Sequence, residues 1–221
     1  MGTSDRAPTY HPSLPAFTKY AWLQGTREWR CSSLRALENN VDWCHPAFAH
    51  PGTHPQSMHV QEHGFRESTY EMRVLPYGLV VFAPPTATAD APIPEQSGLV
   101  LRFELPDRVT LHRPQTDMRM IMHFVPTGAH TCRLEWLLHH PGLTGSGVTW
   151  TEQEGEVFAQ DRRILEGAEH WYDRGGEAFE HSVEADAAPL LLRRIIELAA
   201  QGRWEAERAT LRQRRIVPVR A

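Results

Sequence analysis

The chain has 221 residues, 41% of them hydrophobic, and a formal net charge of −4. A single core of that size could bury roughly 70% of the unfolded surface, so one large domain over residues 16–221 is expected behind an extended, Pro/Ser/Thr-rich lead-in at residues 1–15. The acidic balance argues against a nucleic-acid footprint, and no segment approaches the ~20 apolar residues of a membrane helix. Cys31, Cys44 and Cys132 contain no CxxC pair, which points to a reducing, cytoplasmic setting.

In chain order, Trp22 to Arg30 reads as a strand or short hairpin around a Gly-Thr turn. Ser32 and Ser33 offer cap oxygens to a first helix whose Leu34, Leu37 and Val41 recur at three and four residues. That helix is expected to run through Asp42 to His45 and to bend at Pro46, which removes a helical hydrogen bond. His54, His59 and His63 fall in an expected loop and are read as surface or pocket-rim residues. Strands are expected over residues 69–85 with a turn at Pro76 to Gly78, then over Leu99 to Leu105, Met118 to Val125 and Thr131 to His139. Met118, Met120 and Met122 alternate and share one side of their strand, either as core or as a pliable wall for an apolar ligand. After the glycine-rich stretch from Gly142 to Gly147, Val157, Asp161, Ile164, Leu165 and Ala168 mark a helix over about residues 152–172. Pro189 opens a third helix, and the basic run from Arg212 to Arg215 reads as a solvated tail. Helix, strands, then helices indicate an α+β domain.

The chemistry concentrates in Asn39-Asn40-Val41-Asp42-Trp43-Cys44-His45-Pro46-Ala47-Phe48-Ala49-His50. On an ideal helix, side chains five residues apart diverge by about 140°, so His45 and His50 can meet one metal only if the helix is distorted. Two imidazoles and one carboxylate on one octahedral face leave three positions open, the arrangement ferrous oxygenases use. Asp161 is the candidate third ligand, because it shares an inward helix face with Val157 and Leu165, where an unpaired carboxylate costs several kcal/mol. The bland alternative is a helix-turn Asp paired with Arg162 and Arg163. Asp42, three residues before His45, is a candidate hydrogen-bond partner for that imidazole, and Asn39, one turn earlier, can orient Asp42 or lie near the metal.

The pattern Asn39-x-x-Asp42-x-x-His45-x4-His50, followed by Gln160-Asp161, resembles the catalytic domain of Rieske non-haem iron oxygenase alpha subunits. The vanillate O-demethylase and pheophorbide oxygenase branch looks most similar. The resemblance implies a helix-grip (START/Bet v1-like) fold, an antiparallel sheet curved around a long C-terminal helix. It also implies Fe(II) held by His45, His50 and Asp161, with Asp42 as the electron bridge from a neighbouring Rieske 2Fe–2S cluster. It implies O2-dependent hydroxylation or oxidative demethylation of an apolar, aromatic substrate.

The CxH and CxxH pairs that hold such a cluster do not occur in the sequence. Either the chain is a piece of an enzyme cut at a domain boundary, or a separate Rieske ferredoxin or reductase partner is the expected electron donor, and a homo-oligomer is open. The alternatives are a helix-grip ligand carrier with a vestigial metal site and a structural subunit without turnover.

Overall fold

The computed structural model describes residues 22–140, 147–172 and 174–220. Its strands are β1 (Trp22–Trp29), β2 (Glu67–Leu75), β3 (Gly78–Phe82), β4 (Val100–Glu104), β5 (Arg108–Arg113), β6 (Met118–Gly128), β7 (Thr131–His139) and β8 (Arg214–Arg220). They form one eight-stranded antiparallel sheet in the order β1-β7-β6-β5-β4-β3-β2-β8. The helices are α1 (Ser33–Val41), α2 (His45–Ala49), α3 (Pro55–His63), α4 (Gly147–Tyr172), α5 (Ala187–Ala200) and α6 (Trp204–Glu207). The α+β, helix-grip expectation holds, with the 26-residue α4 as the long helix.

Strand alternation decides which side of the sheet becomes the core. Leu101 and Phe103 of β4, Met118, Met120 and Met122 of β6, and Leu134, Trp136 and Leu138 of β7 are all buried in one cluster. Against them pack Leu37 and Val41 of α1, Phe158 and Leu165 of α4, and Leu192, Ile195 and Leu198 of α5. Each fully buried Leu, Met or Phe contributes roughly 1.5–3 kcal/mol. Met120 lies between Leu111 of β5 and Leu138 of β7, and Met122 between Val109 and Trp136. The methionines therefore sit at the centre of the inner face, below the helices.

Several local expectations are corrected. The Gly-Thr pair at 25–26 makes no turn: β1 runs straight through it, paired with β7 along its length. Gly25 is there for space, since a Cβ on it would lie 2.6 Å from the Trp136 indole. That indole in turn meets Phe158 of α4 at a centroid distance of 5.8 Å. β5 was not foreseen, because its polar Arg108, Thr110 and His112 alternate with Val109 and Leu111 and leave only a short apolar signal. The histidine segment after His50 is helix α3, capped by His54, whose Nδ1 accepts from the Gln56 backbone N–H at 3.3 Å.

The C-terminal basic run leads into β8 rather than a solvated tail. Val217 and Val219 are buried there, and Arg214 reaches Glu71 on β2 at 2.8 Å. Pro218 is tolerated because β8 is an edge strand, where a missing N–H removes no ladder bond. α5 starts two residues before Pro189, which occupies its first turn. The lead-in at residues 1–15 and the glycines at 142 and 145 lie outside the described residues. Among the described residues no helix is long and apolar enough to cross a membrane, and all three cysteines are free thiols.

Candidate metal centre

α1 stops earlier than its apolar stripe suggested. Ser32 caps its start, accepting from the Arg35 N–H, and it ends at Val41 with Asp42 in an extended conformation (φ −68°, ψ 114°). Leaving the helix frees the Asp42 carbonyl, which accepts from His45 Nδ1 at 2.9 Å. The Asp42 carboxylate does not orient that imidazole: its Oδ1 accepts from the Cys44 backbone N–H at 2.8 Å. Pro46 opens a new five-residue helix, α2, rather than kinking α1, as its fixed φ and absent N–H allow at a helix start. His50 sits at the far end of α2, already outside helical geometry (φ −118°, ψ 57°). The broken helix thus removes the divergence of an ideal one, and the two imidazoles meet edge to face with centroids 5.2 Å apart.

α3 locks the end of this turn. The His50 carbonyl accepts from the Thr53 and His54 backbone N–H groups at 3.2 and 3.3 Å and from the buried Ser57 hydroxyl. α4 supplies the rest. Gln160 Oε1 accepts from His50 Nδ1 at 3.0 Å and from the Thr53 hydroxyl at 3.0 Å, while its amide nitrogen donates to Glu156. The next residue, Asp161, is 4% exposed. Its Oδ1 accepts from Asn39 Nδ2 at 3.0 Å.

These bonds fix the protons. A carbonyl and an amide oxygen can only accept, so both Nδ1 atoms carry hydrogen, and in the neutral rings that bind a metal it is Nε2 that presents the lone pair. The two Nε2 atoms are 3.3 Å apart, and Asp161 Oδ1 lies 3.7 Å from that of His45 and 3.4 Å from that of His50. Burial, outweighing the nearby Asp161, pushes the His50 imidazole below its ordinary pKa and keeps it neutral. Three electron-rich atoms facing one another in a dry site repel unless a cation joins them. Their spacing lets one ion reach all three at the ~2.0–2.1 Å that metal–imidazole bonds require. The donor set therefore fits a divalent metal, and among the described residues it is the one cluster of its kind.

Residues 29–201 match the family model of the vanillate O-demethylase oxygenase C-terminal domain. The chain belongs to this family. No curated protein matches it significantly. Its fold is that of solved Rieske oxygenases: NdmA of Pseudomonas putida CBB5 with caffeine is 18% identical at a TM-score of 0.63, covering 97% of this chain and 61% of that one. Dicamba monooxygenase bound to dicamba is 13% identical at a TM-score of 0.59, covering 91% and 65%. The oxygenase of a carbazole 1,9a-dioxygenase–ferredoxin complex is 17% identical at 0.60, covering 89% and 60%. The chain thus spans about three-fifths of the length of such structures.

In this member of the family the cluster opens onto a cavity of about 120 Å³. Its apolar wall is Leu99, Leu101 and Leu111 with the three methionines, and His54 and Arg113 lie on its lining. Burial and the neighbouring Arg113 guanidinium hold His54 down to about 3. Asp42 lines this cavity and also a second groove of about 750 Å³ between α1, α4 and α5. Burial raises the Asp42 carboxyl above its ordinary value, against the lowering effect of His45.

All five residues singled out in the sequence thus lie together. Gln160, Thr53 and Ser57 were not assigned roles beforehand. Gln160 was visible beside Asp161 in the motif, but a glutamine without a known imidazole partner carries no signal of its own.

Proposed function

We propose that the chain is the oxygen-activating domain of a Rieske-type oxygenase, with Fe(II) held by His45, His50 and Asp161. The reaction class is O2-dependent hydroxylation or oxidative demethylation of a small apolar, aromatic substrate. The observation that supports this best is the pair of opposed imidazole lone pairs 3.3 Å apart beside a buried carboxylate. A ferrous ion held by these residues would supply the open coordination needed to activate O2. The protein's part is orientation and exclusion of water. The Asp42 carbonyl and Gln160 fix the two rings, Asn39 holds the Asp161 carboxylate, and the methionine and leucine side chains keep the substrate side dry.

Electrons then arrive from a Rieske 2Fe–2S cluster carried by another protein or domain, which docks in the groove between α1, α4 and α5. Asp42 supports that placement because it alone among the assigned residues lines both the groove and the metal cavity. Three free thiols accord with a reducing, cytoplasmic setting.

Anaerobic reconstitution with Fe(II), followed by nitric oxide electron paramagnetic resonance, tests the reading. One high-spin iron–nitrosyl signal per chain, lost in His45→Ala and Asp161→Ala, is the expected result. Tight binding of aromatic ligands without any stoichiometric metal would favour the carrier alternative instead.

A further inference from the structure

Away from the buried centre, the described residues hold another pair of adjoining imidazoles. His59 and His63 lie one turn apart on α3, with ring centroids 4.8 Å apart, closer than the 5.2 Å between His45 and His50. Four-residue spacing puts both side chains on one face of a helix, the placement that lets two histidines share one metal ion. No break in the helix is needed here, unlike at His45 and His50. Glu62, three residues after His59, occupies the same face, and its Oε2 lies 3.5 Å from His63 Nε2.

The setting of these side chains suits an ion that comes and goes. Those of His63 and Glu62 are 61% and 68% exposed, so both can close on an ion without disturbing the core. Their donors are less tightly gathered than those of the buried centre. α3 ends at Gly64, whose φ of 75° stops the helix directly after His63. The unpaired carbonyls of a helix end favour a cation there. That end effect by itself accounts for His63 in the last turn, but not for the His59 ring set against it. The start of α3 is already tied down, since Ser57 donates to the His50 carbonyl and Gln56 Nε2 to the Trp43 carbonyl at 3.4 Å.

Independently of the oxygenase reading, we propose that His59 and His63, with the Glu62 carboxylate beside them, form a second and exchangeable site for a divalent transition ion that clips the last turn of α3. Imidazole donors select the zinc and copper end of the first-row series, whereas magnesium and calcium take oxygen donors. Water fills the remaining positions at so exposed a site. The clip fastens the far end of the helix whose first turn steadies His50.

The test is calorimetric titration of the full 221-residue chain with Cu(II)–iminodiacetate, a chelate with positions left for exposed imidazoles. Wild type is compared with His59→Gln, His63→Gln and the double variant. The buried centre is the same in all four proteins, so differences among them report on α3. Wild type is expected to show a site at least about ten-fold tighter than either single variant. The double variant should be no weaker than the singles, because a two-armed grip is lost with its first arm and the two losses do not add. Amide hydrogen exchange from Val60 to Gly64 should slow with the probe in wild type alone. The proposal is overturned if wild type has no such site, if only one of the two substitutions weakens it, or if the losses are additive. Should one variant not fold, the other single variant and the exchange pattern decide.

Discussion

Gln160 Oε1 lies 3.0 Å from His50 Nδ1, and the following residue on α4 brings its carboxylate within 3.4 Å of the same ring's other nitrogen. One helix thus supplies both a ring-orienting acceptor and a candidate ligand. Removing the acceptor with Gln160→Ala should weaken metal affinity by about 10–100-fold without abolishing binding. Competitive titration with a metal-sensitive dye reads this directly, and unchanged affinity would mean that α3 alone orients His50.

A metal held by this cluster would be coupled to the fold. A ligand present at 100 times its dissociation constant stabilises the folded state by about 2.7 kcal/mol, so chelation should lower the melting temperature of the loaded protein. Asp161→Asn keeps an oxygen for the Asn39 donor and should lose the metal-dependent rise in melting temperature. Differential scanning calorimetry with and without Fe(II) reads the effect.

Asp42 holds His45 through its backbone carbonyl, not its carboxylate. Asp42→Asn keeps both the carbonyl and an oxygen for the Cys44 N–H, so metal stoichiometry should be that of wild type. Donor-dependent turnover should fall by orders of magnitude. Full turnover in this variant would remove the carboxylate from the electron path and leave Asp42 a purely conformational role.

Away from the site, Glu71 is fully buried on the outer face of β2. Burial alone would raise its carboxyl, but hydrogen bonds from Arg214, Arg73 and Thr86 outweigh that and bring it to about 2, against an ordinary 4.5. A depressed folded pKa means that the stabilisation is complete above about pH 4.5 and is lost as pH falls toward 2. The loss is on the order of 3 kcal/mol. Urea midpoints between pH 5 and pH 2.5 should therefore decline in wild type. In Glu71→Gln the midpoint should be lower at pH 5 and the decline shallower. Because Arg214 belongs to β8, this cluster also fastens the last strand to the sheet.

The sequence carried much of this at the level of periodicity and residue type. Alternation in β6 and β7, the stripe on α1 and the inward face of α4 are local properties, set by whether side chains repeat every two or every three to four residues. Where that signal was diluted, reading failed: in β5 by outward Arg, Thr and His, in β8 by the arginines before its valines, and in α3 by histidines between a proline and a glycine.

The site divided in the same way. The sequence by itself singled out the candidate donors His45, His50 and Asp161, with Asn39 and Asp42 beside them, because they stand in a spacing that residue chemistry and family resemblance can read. Only the tertiary structure decided that α1 ends before His45, that a carbonyl rather than a carboxylate steadies that ring, and that Gln160 steadies the other. The physical reason is that such bonds join groups with no relation in sequence, 110 residues apart for His50 and Gln160. Their partners are chosen by how α4 packs on the sheet, through contacts such as Phe158 on Trp136, and not by any pattern along the chain.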